Sequence, residues 1–220
     1  MGITYLGHSC FELDLGDSKI LVDPFLVMSP GYDYSGITEI FVTHGHADHL
    51  GSAIEISQKT GAKITAVFEL ANYCAQRGAN VNGISLGSWI EYGWGRVIAV
   101  PAFHSSSTSE GVYTGCPCGF IFDIAGRKIY HAGDTCLNFE MKLIGELYEP
   151  DVSILPVGGC YTMDIEHAVK AAEFLNSSAI IPMHYNTFEA INVDISEFER
   201  EIRALGKIPL VMQIGQKLDG

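Results

Sequence analysis

A mixed α/β (α+β) fold built of two similar β-rich halves is what the sequence predicts, on three observations. First, β-rich and helical patterns alternate from end to end, with no Ser- or Pro-rich linker and no block of charge between them. Second, a segment recurs without gaps. Phe11-Glu12-Leu13-Asp14-Leu15-Gly16-Asp17-Ser18-Lys19-Ile20 aligns on Phe120-Ile121-Phe122-Asp123-Ile124-Ala125-Gly126-Arg127-Lys128-Ile129, with Phe, Asp, Lys and Ile at equivalent positions. Third, several apolar strands run out directly into a His or an Asp. Two ordinary hairpins sharing an alternation would give the same match. As a true repeat it implies two β-rich halves packed face to face, with polar loops of both meeting at one edge.

Taken in order, Phe11–Leu15 and Lys19–Val22 read as strands joined by the turn Gly16-Asp17-Ser18. Glu39–Thr43 reads as a buried strand entering a histidine cluster, and Ser52–Lys59 as a helix stopped by Gly61. Ser88–Tyr92 and Arg96–Ala102 suggest a second antiparallel pair. Phe120–Ile124 and Arg127–His131 form a hairpin around Ala125-Gly126. Helices are predicted at Leu137–Leu147 and Ile165–Leu175, interleaved with strands at Val152–Pro156 and Ala179–Met183.

The 220 residues suit one domain spanning 1–220, and 47% hydrophobic against 18% charged residues is enough for a sizeable core. Apolar runs such as Ile180–Met183 are far short of a membrane span, so no membrane partner is expected. The start, Met1-Gly2-Ile3-Thr4-Tyr5-Leu6, lacks the pattern of a secretory signal, and the expected location is cytoplasmic. A net charge of −13 without any Lys/Arg cluster argues against nucleic acid as a partner. Bound divalent cations would cancel part of that charge. The six cysteines read as reduced thiols, since a core this large needs no staples, and Cys116-Pro117-Cys118 lacks the second pair that a structural metal site requires.

Thr43-His44-Gly45-His46-Ala47-Asp48-His49 sets three imidazoles and a carboxylate at the end of an apolar strand. Alternate residues of an extended segment point the same way, so His44 and His46 can grip one cation. Asp48 and His49 can swing to a second where the chain turns into a helix, a transition that Gly45 eases. Three imidazoles and an Asp this close are hard to bury without a metal. Further donors stand at other strand ends: His104 after Val97–Ala102, Asp134 past the second hairpin, and His184 after Ile180–Met183.

His-x-His-x-Asp-His followed by a later His, a Gly-Asp and a final His resembles the metallo-β-lactamase superfamily over nearly the whole chain. The resemblance implies a four-layer αββα sandwich with its metals at one edge of two facing sheets. It implies His44, His46 and His104 as ligands of a first metal, Asp48, His49 and His184 as ligands of a second, and Asp134 as the bridging carboxylate. Tyr5-Leu6-Gly7-His8-Ser9, Asp23-Pro24 and Pro182 to Phe188 are similar to a branch of small metal-dependent hydrolases like L-ascorbate-6-phosphate lactonase.

The implied cofactors are two divalent metal ions about 3.5–4 Å apart sharing an activated water as a bridging hydroxide. Zinc is favoured by five imidazoles, with manganese or iron as alternatives. The implied reaction is hydrolysis of an ester-type bond, lactone or phosphodiester, in a small molecule, with Asp48 orienting the nucleophile and taking its proton. Redox members of the fold form one alternative, although flavodiiron proteins place a carboxylate where His46 stands. A metal-binding or sensory protein without turnover is the other. His8 and His131 are not family ligands; each is either a substrate-binding, proton-donating or ligand-orienting residue, or a hydrogen-bonded structural histidine. Asp23 either holds a ligand imidazole or caps its turn, and His167 reads as solvent-exposed. Ser105–Ser109 could offer hydroxyls to a phosphate or sugar, or form a plain solvated loop. A homo-oligomer remains an open expectation.

Overall fold

A computed structural model describes residues 1–219. Its first strands are β1 (Gly2–Gly7), β2 (Cys10–Asp14), β3 (Lys19–Val22), β4 (Glu39–Phe41), β5 (Lys63–Val67) and β6 (Val81–Ile84). Helices α1 (Ala47–Leu50), α2 (Ala53–Thr60) and α3 (Phe68–Ala75) lie among them. There follow β7 (Trp89–Tyr92), β8 (Gly95–Pro101), β9 (Cys118–Ile124), β10 (Arg127–His131), α4 (Glu140–Tyr148) and β11 (Val152–Pro156). The chain closes with α5 (Ile165–Leu175), β12 (Ala179–Met183), α6 (Ile195–Ala204), β13 (Ile208–Pro209) and β14 (Lys217–Asp219). No helix among the described residues is long and apolar enough to cross a membrane.

The chain divides into two compact units, each discontinuous in sequence. The first comprises Met1–Ser85, Ser105–Pro117 and the segment from Gln213, and the second comprises Leu86–His104 and Cys118–Met212. In the first unit a seven-stranded sheet runs β14-β1-β2-β3-β4-β5-β6. Its first three pairings are antiparallel and its last three parallel. The second unit's sheet runs β7-β8-β9-β10-β11-β12-β13, again with three antiparallel pairings and then three parallel ones. The two sheets thus share one topology. The repeated sequence segment falls on β2–β3 in one and on β9–β10 in the other, the third and fourth positions of the same strand order.

Local chemistry explains the elements. The parallel strands β11 and β12 are buried except at Ala179 and apolar except at Ser153, as strands covered on both faces are. In α2 the chain stops where Gly61 takes a left-handed φ of 79°, a conformation that costs glycine nothing. Helix α5 begins at Asp164, whose carboxylate accepts from the His167 N–H, and α6 begins at Asp194, which accepts from the Ser196 N–H. Phe11, Ile20, Ile40, Phe41, Ile56 and Ile64 fill the first unit's core; Phe120, Phe122, Tyr130 and Phe198 fill the second's. Each such side chain contributes about 1.5–3 kcal/mol by leaving water.

The structure adds elements that the periodicity did not announce: β1, β5, β6, α1, α3, α6, β13 and β14. It also shortens two. Strand β4 stops at Phe41, not Thr43, and α4 begins at Glu140, because Asn138 spends its amide on Cys136 O and Thr135 Oγ1 in a preceding turn.

Candidate metal centre

Strand direction gathers the candidate residues. In the first sheet β1, β3 and β4 all point one way, since two antiparallel steps and one parallel step separate them. Their C-terminal ends therefore share one edge, and His8, Asp23 and the segment 44–49 follow immediately there. By the same logic β8, β10, β11 and β12 end together in the second sheet, where His131 is the last residue of β10 and His104, Asp134 and His184 follow strand ends. Such edges are where loops collect ligands in sheets with parallel strands. Three of these residues leave their strand at a left-handed φ: His8 at 56°, Asp23 at 44° and His184 at 55°. Non-glycine residues held there cost about 1–3 kcal/mol each, strain that surrounding bonds must hold.

In the first unit Asp23 is wholly buried and anchors two of the candidates. Its Oδ1 accepts from the Thr43 N–H at 2.8 Å, and its Oδ2 accepts from the Thr43 hydroxyl at 2.8 Å and from His49 Nδ1 at 2.7 Å. The Thr43 hydroxyl has one proton, and it goes to Asp23. Toward His44 Nδ1, 3.0 Å away, that oxygen therefore accepts. Both His44 and His49 are thus assigned protons on Nδ1, which leaves each Nε2 with a lone pair to offer a cation. His44 Nε2 faces His46 Nδ1 at 2.9 Å, while Ser105 Oγ lies 3.4 Å from the other nitrogen of His46. Asp48 is part-exposed; its Oδ2 lies 3.0 Å from His8 Nε2 and 4.0 Å from His49 Nε2.

His44 and His46 lie beyond the end of β4, where His46 still has extended backbone, and their nitrogens face each other as alternate residues of an extended segment should. Side-chain bonds from Thr43 and Ser105 hold the two rings there as well. His8 touches the cluster directly by binding Asp48, and Asp23 takes the imidazole-holding alternative. Burial, followed by the nearby charge of Asp23, pushes the Cys10 thiol well above its ordinary range.

In the second unit one carboxylate oxygen serves two imidazoles. Asp134 Oδ2 lies 3.5 Å from His104 Nε2 and 3.1 Å from His184 Nε2. His131, fully buried, accepts the Gly133 N–H on Nδ1 at 3.2 Å, so it braces the turn that carries Asp134. Thr135 ties the neighbouring loops: its Oγ1 accepts from the Phe103 N–H and its carbonyl from the Met163 N–H. Gly158 admits no side chain, since a Cβ there would stand 2.2 Å from His184 O. His167 remains apart from this group, exposed on α5 beside Asp164.

Imidazole nitrogens with a few carboxylate oxygens are the donor set of a borderline divalent cation, and these residues supply both kinds. Thr43, Ser106 and Thr114 carry the segment 44–46, a supporting role that the sequence did not assign to any of them. Thr43 had only its adjacency as a signal; the other two stand far downstream.

Comparison with known proteins agrees with this geometry. The family profile described as "Beta-lactamase superfamily domain" matches residues 2–184. A UPF0173 metal-dependent hydrolase of Methanopyrus kandleri is 43% identical over 214 residues, covering 94% of this chain and 93% of that protein. Another from Carboxydothermus hydrogenoformans is 40% identical over 222 residues, covering 98% of each. Among solved structures, Igni18, a novel metallo hydrolase of Ignicoccus hospitalis, superposes with a TM-score of 0.90 at 35% identity, covering 99% of this chain and 97% of that one. With the fold, the histidine motif and these relatives in agreement, the chain belongs to the metallo-β-lactamase superfamily, among its UPF0173 metal-dependent hydrolases.

Proposed function

We propose that this protein hydrolyses an ester-type bond, lactone or phosphodiester, in a small molecule, using two divalent cations. His44, His46 and His104 hold one, Asp48, His49 and His184 hold the other, and Asp134 bridges. The observation that carries this reading is Asp134 Oδ2, shared between His104 Nε2 and His184 Nε2 at 3.5 and 3.1 Å. A carboxylate joining ligands assigned to two different cations is the arrangement that bridging requires.

When bound, the cations supply Lewis acidity that brings a water's pKa toward neutrality and stabilises developing negative charge. The chain's own residues supply orientation and proton handling. Asp23, itself fixed by Thr43, holds the His49 ring so that Nε2 is its donor atom. Asp48, with part of its carboxylate exposed, takes the proton of the attacking water, and His8 sets its angle through the 3.0 Å contact. His131 keeps the Asp134 turn in shape. Zinc suits the five imidazoles best, with manganese or iron as the alternatives.

Metal analysis combined with a screen of lactones and phosphodiesters tests the reading. Two equivalents of metal are expected in the purified protein, with turnover of at least one class of substrate, and loss of both metal and turnover in Asp134→Ala. A two-metal preparation inert toward both classes, with Asp134→Ala changing nothing measurable, would leave a metal-binding protein without turnover and end the hydrolase reading.

A further inference from the structure

We infer that Ser106 and Thr114 are positioning residues for the histidine segment, and that the hairpin carrying them sets how tightly the segment holds a divalent cation. The inference rests on the metal reading above and goes beyond it, since neither residue is a ligand there.

The segment needs an outside support. The last sheet bond on this stretch is Val42 N–H to Thr65 O, and the next regular carbonyl is His46 O at the start of α1. Between them Asp23 holds Thr43, and the Gly45 N–H donates to Ser106 Oγ at 3.1 Å. Ser106 Oγ in turn lies 2.7 Å from Thr114 Oγ1, with both residues buried. On the same spot Thr114 presses from above: a Cβ on Gly45 would stand 2.3 Å from its Oγ1 and 3.2 Å from its Cγ2. Gly45 lies between the two imidazoles whose nitrogens face each other at 2.9 Å. A shift of its backbone changes that spacing directly.

The support is itself anchored. Thr114 N–H donates to Ser106 O, Thr108 N–H to Val112 O, and Ser107 bridges Tyr113, which closes a small hairpin. At its tip Glu110 meets Arg77 at 2.7 Å, and Arg77 lies over the Tyr73 ring on α3. Ser106 and Thr114 spend their hydroxyls on each other and on Gly45, and Thr108 spends its own on Val112 N–H. Of the Ser105–Ser109 run, Ser106 and Thr108 are thus buried and bonded within the hairpin.

Zinc affinity of the full chain, read by competition with a chromophoric chelator, is the test. Supporting groups one step behind a metal ligand are worth about 10–100-fold in affinity. Ser106→Ala, Thr114→Val and Gly45→Ala are each expected to weaken zinc binding about tenfold or more. Thr114→Ser, which keeps the hydroxyl, should stay within about threefold of wild type. Melting of the metal-stripped proteins is compared alongside, and should differ by only a few degrees. Where Ser106→Ala fails to fold, the contrast between Thr114→Val and Thr114→Ser decides. A wild-type protein that binds zinc while all variants bind it equally overturns the positioning role alone. So does a loss in Thr114→Ser as large as in Thr114→Val. A wild-type protein that binds no zinc, manganese or iron overturns the metal reading and this inference together.

Discussion

Asp23 and His49 are joined carboxylate to imidazole, Oδ2 to Nδ1, at 2.7 Å, with neither side chain exposed. The bond fixes which nitrogen of His49 can reach a cation, and Thr43 fixes the carboxylate in turn. Asp23→Asn keeps the shape but turns an amide N–H₂ toward one of those donors. Two effects are expected. The buried mismatch destabilises the metal-free protein by about 1–3 kcal/mol, seen in thermal unfolding. Metal affinity falls about 10–100-fold, seen by chelator competition. Unchanged affinity would show that His49 is not held for a metal.

His8 sits at φ 56° with its Nε2 on Asp48 Oδ2. Among non-glycine residues Asn accepts that backbone most readily, so His8→Asn removes the imidazole with little added strain. If His8 orients Asp48 for proton transfer, kcat falls about tenfold or more while KM and metal content stay near wild type. Steady-state kinetics on a responsive lactone or phosphodiester, with metal analysis of the same preparation, separates the two. Loss of one metal equivalent would instead place His8 among the groups that keep Asp48 a ligand.

The thiols divide evenly by burial: Cys116, Cys136 and Cys160 are exposed, and Cys10, Cys74 and Cys118 are buried. The thiolate is the reactive form. Burial pushes Cys74 up to about 12, against a smaller downward pull from Arg77, and burial drives Cys10 up as well. A thiol-specific disulfide reagent should therefore label three thiols quickly in the native protein and six after denaturation. The labelling is compared at pH 7 and at pH 9. Cys10 and Cys74 stay protonated throughout that window and remain unlabelled. A fourth fast equivalent at pH 9 would contradict this.

How much of this was legible in the sequence depends on how locally each feature is encoded. Hairpins β2–β3 and β9–β10 declare themselves through alternation and a turn, and α5 through its cap and period, so each is readable within a few residues. The repeated decapeptide even marks the common strand order of the two sheets. Strands β5 and β6 are set by parallel partners elsewhere in the chain, and their short buried runs resemble helix segments as much as strands. Helix α6 carried a readable signal, with Asp194 as cap and Phe198 and Ile202 one turn apart, yet stood outside the elements expected. The candidate ligands were visible because histidine and aspartate at strand ends are rare by chance. Their supports were not, because serine and threonine are common and nothing near Gly45 points to Ser106 or Thr114.

The second copy of the repeat offers a test of how the hairpin is built. Ile124 pairs with Arg127, leaving Ala125 and Gly126 as a two-residue loop with φ of 52° and 86°. Positive φ at both positions is the turn whose twist matches antiparallel strands, and it favours Asn-Gly. Alanine in the first position carries a steric cost of about 1–2 kcal/mol that glycine avoids and asparagine partly avoids. Ala125→Asn should therefore stabilise the protein by about 0.5–1 kcal/mol. For a chain of this length that raises the melting temperature by about 1–4 °C. Ala125→Val, β-branched and worse at positive φ, should lower it. Both changes lie at a loop tip whose residues neither carry nor support the candidate ligands, so metal content should match wild type. Melting curves of the three proteins at one pH and one metal loading give the answer. Equal stability of Asn and Val at this position would mean that the turn relaxes away from positive φ.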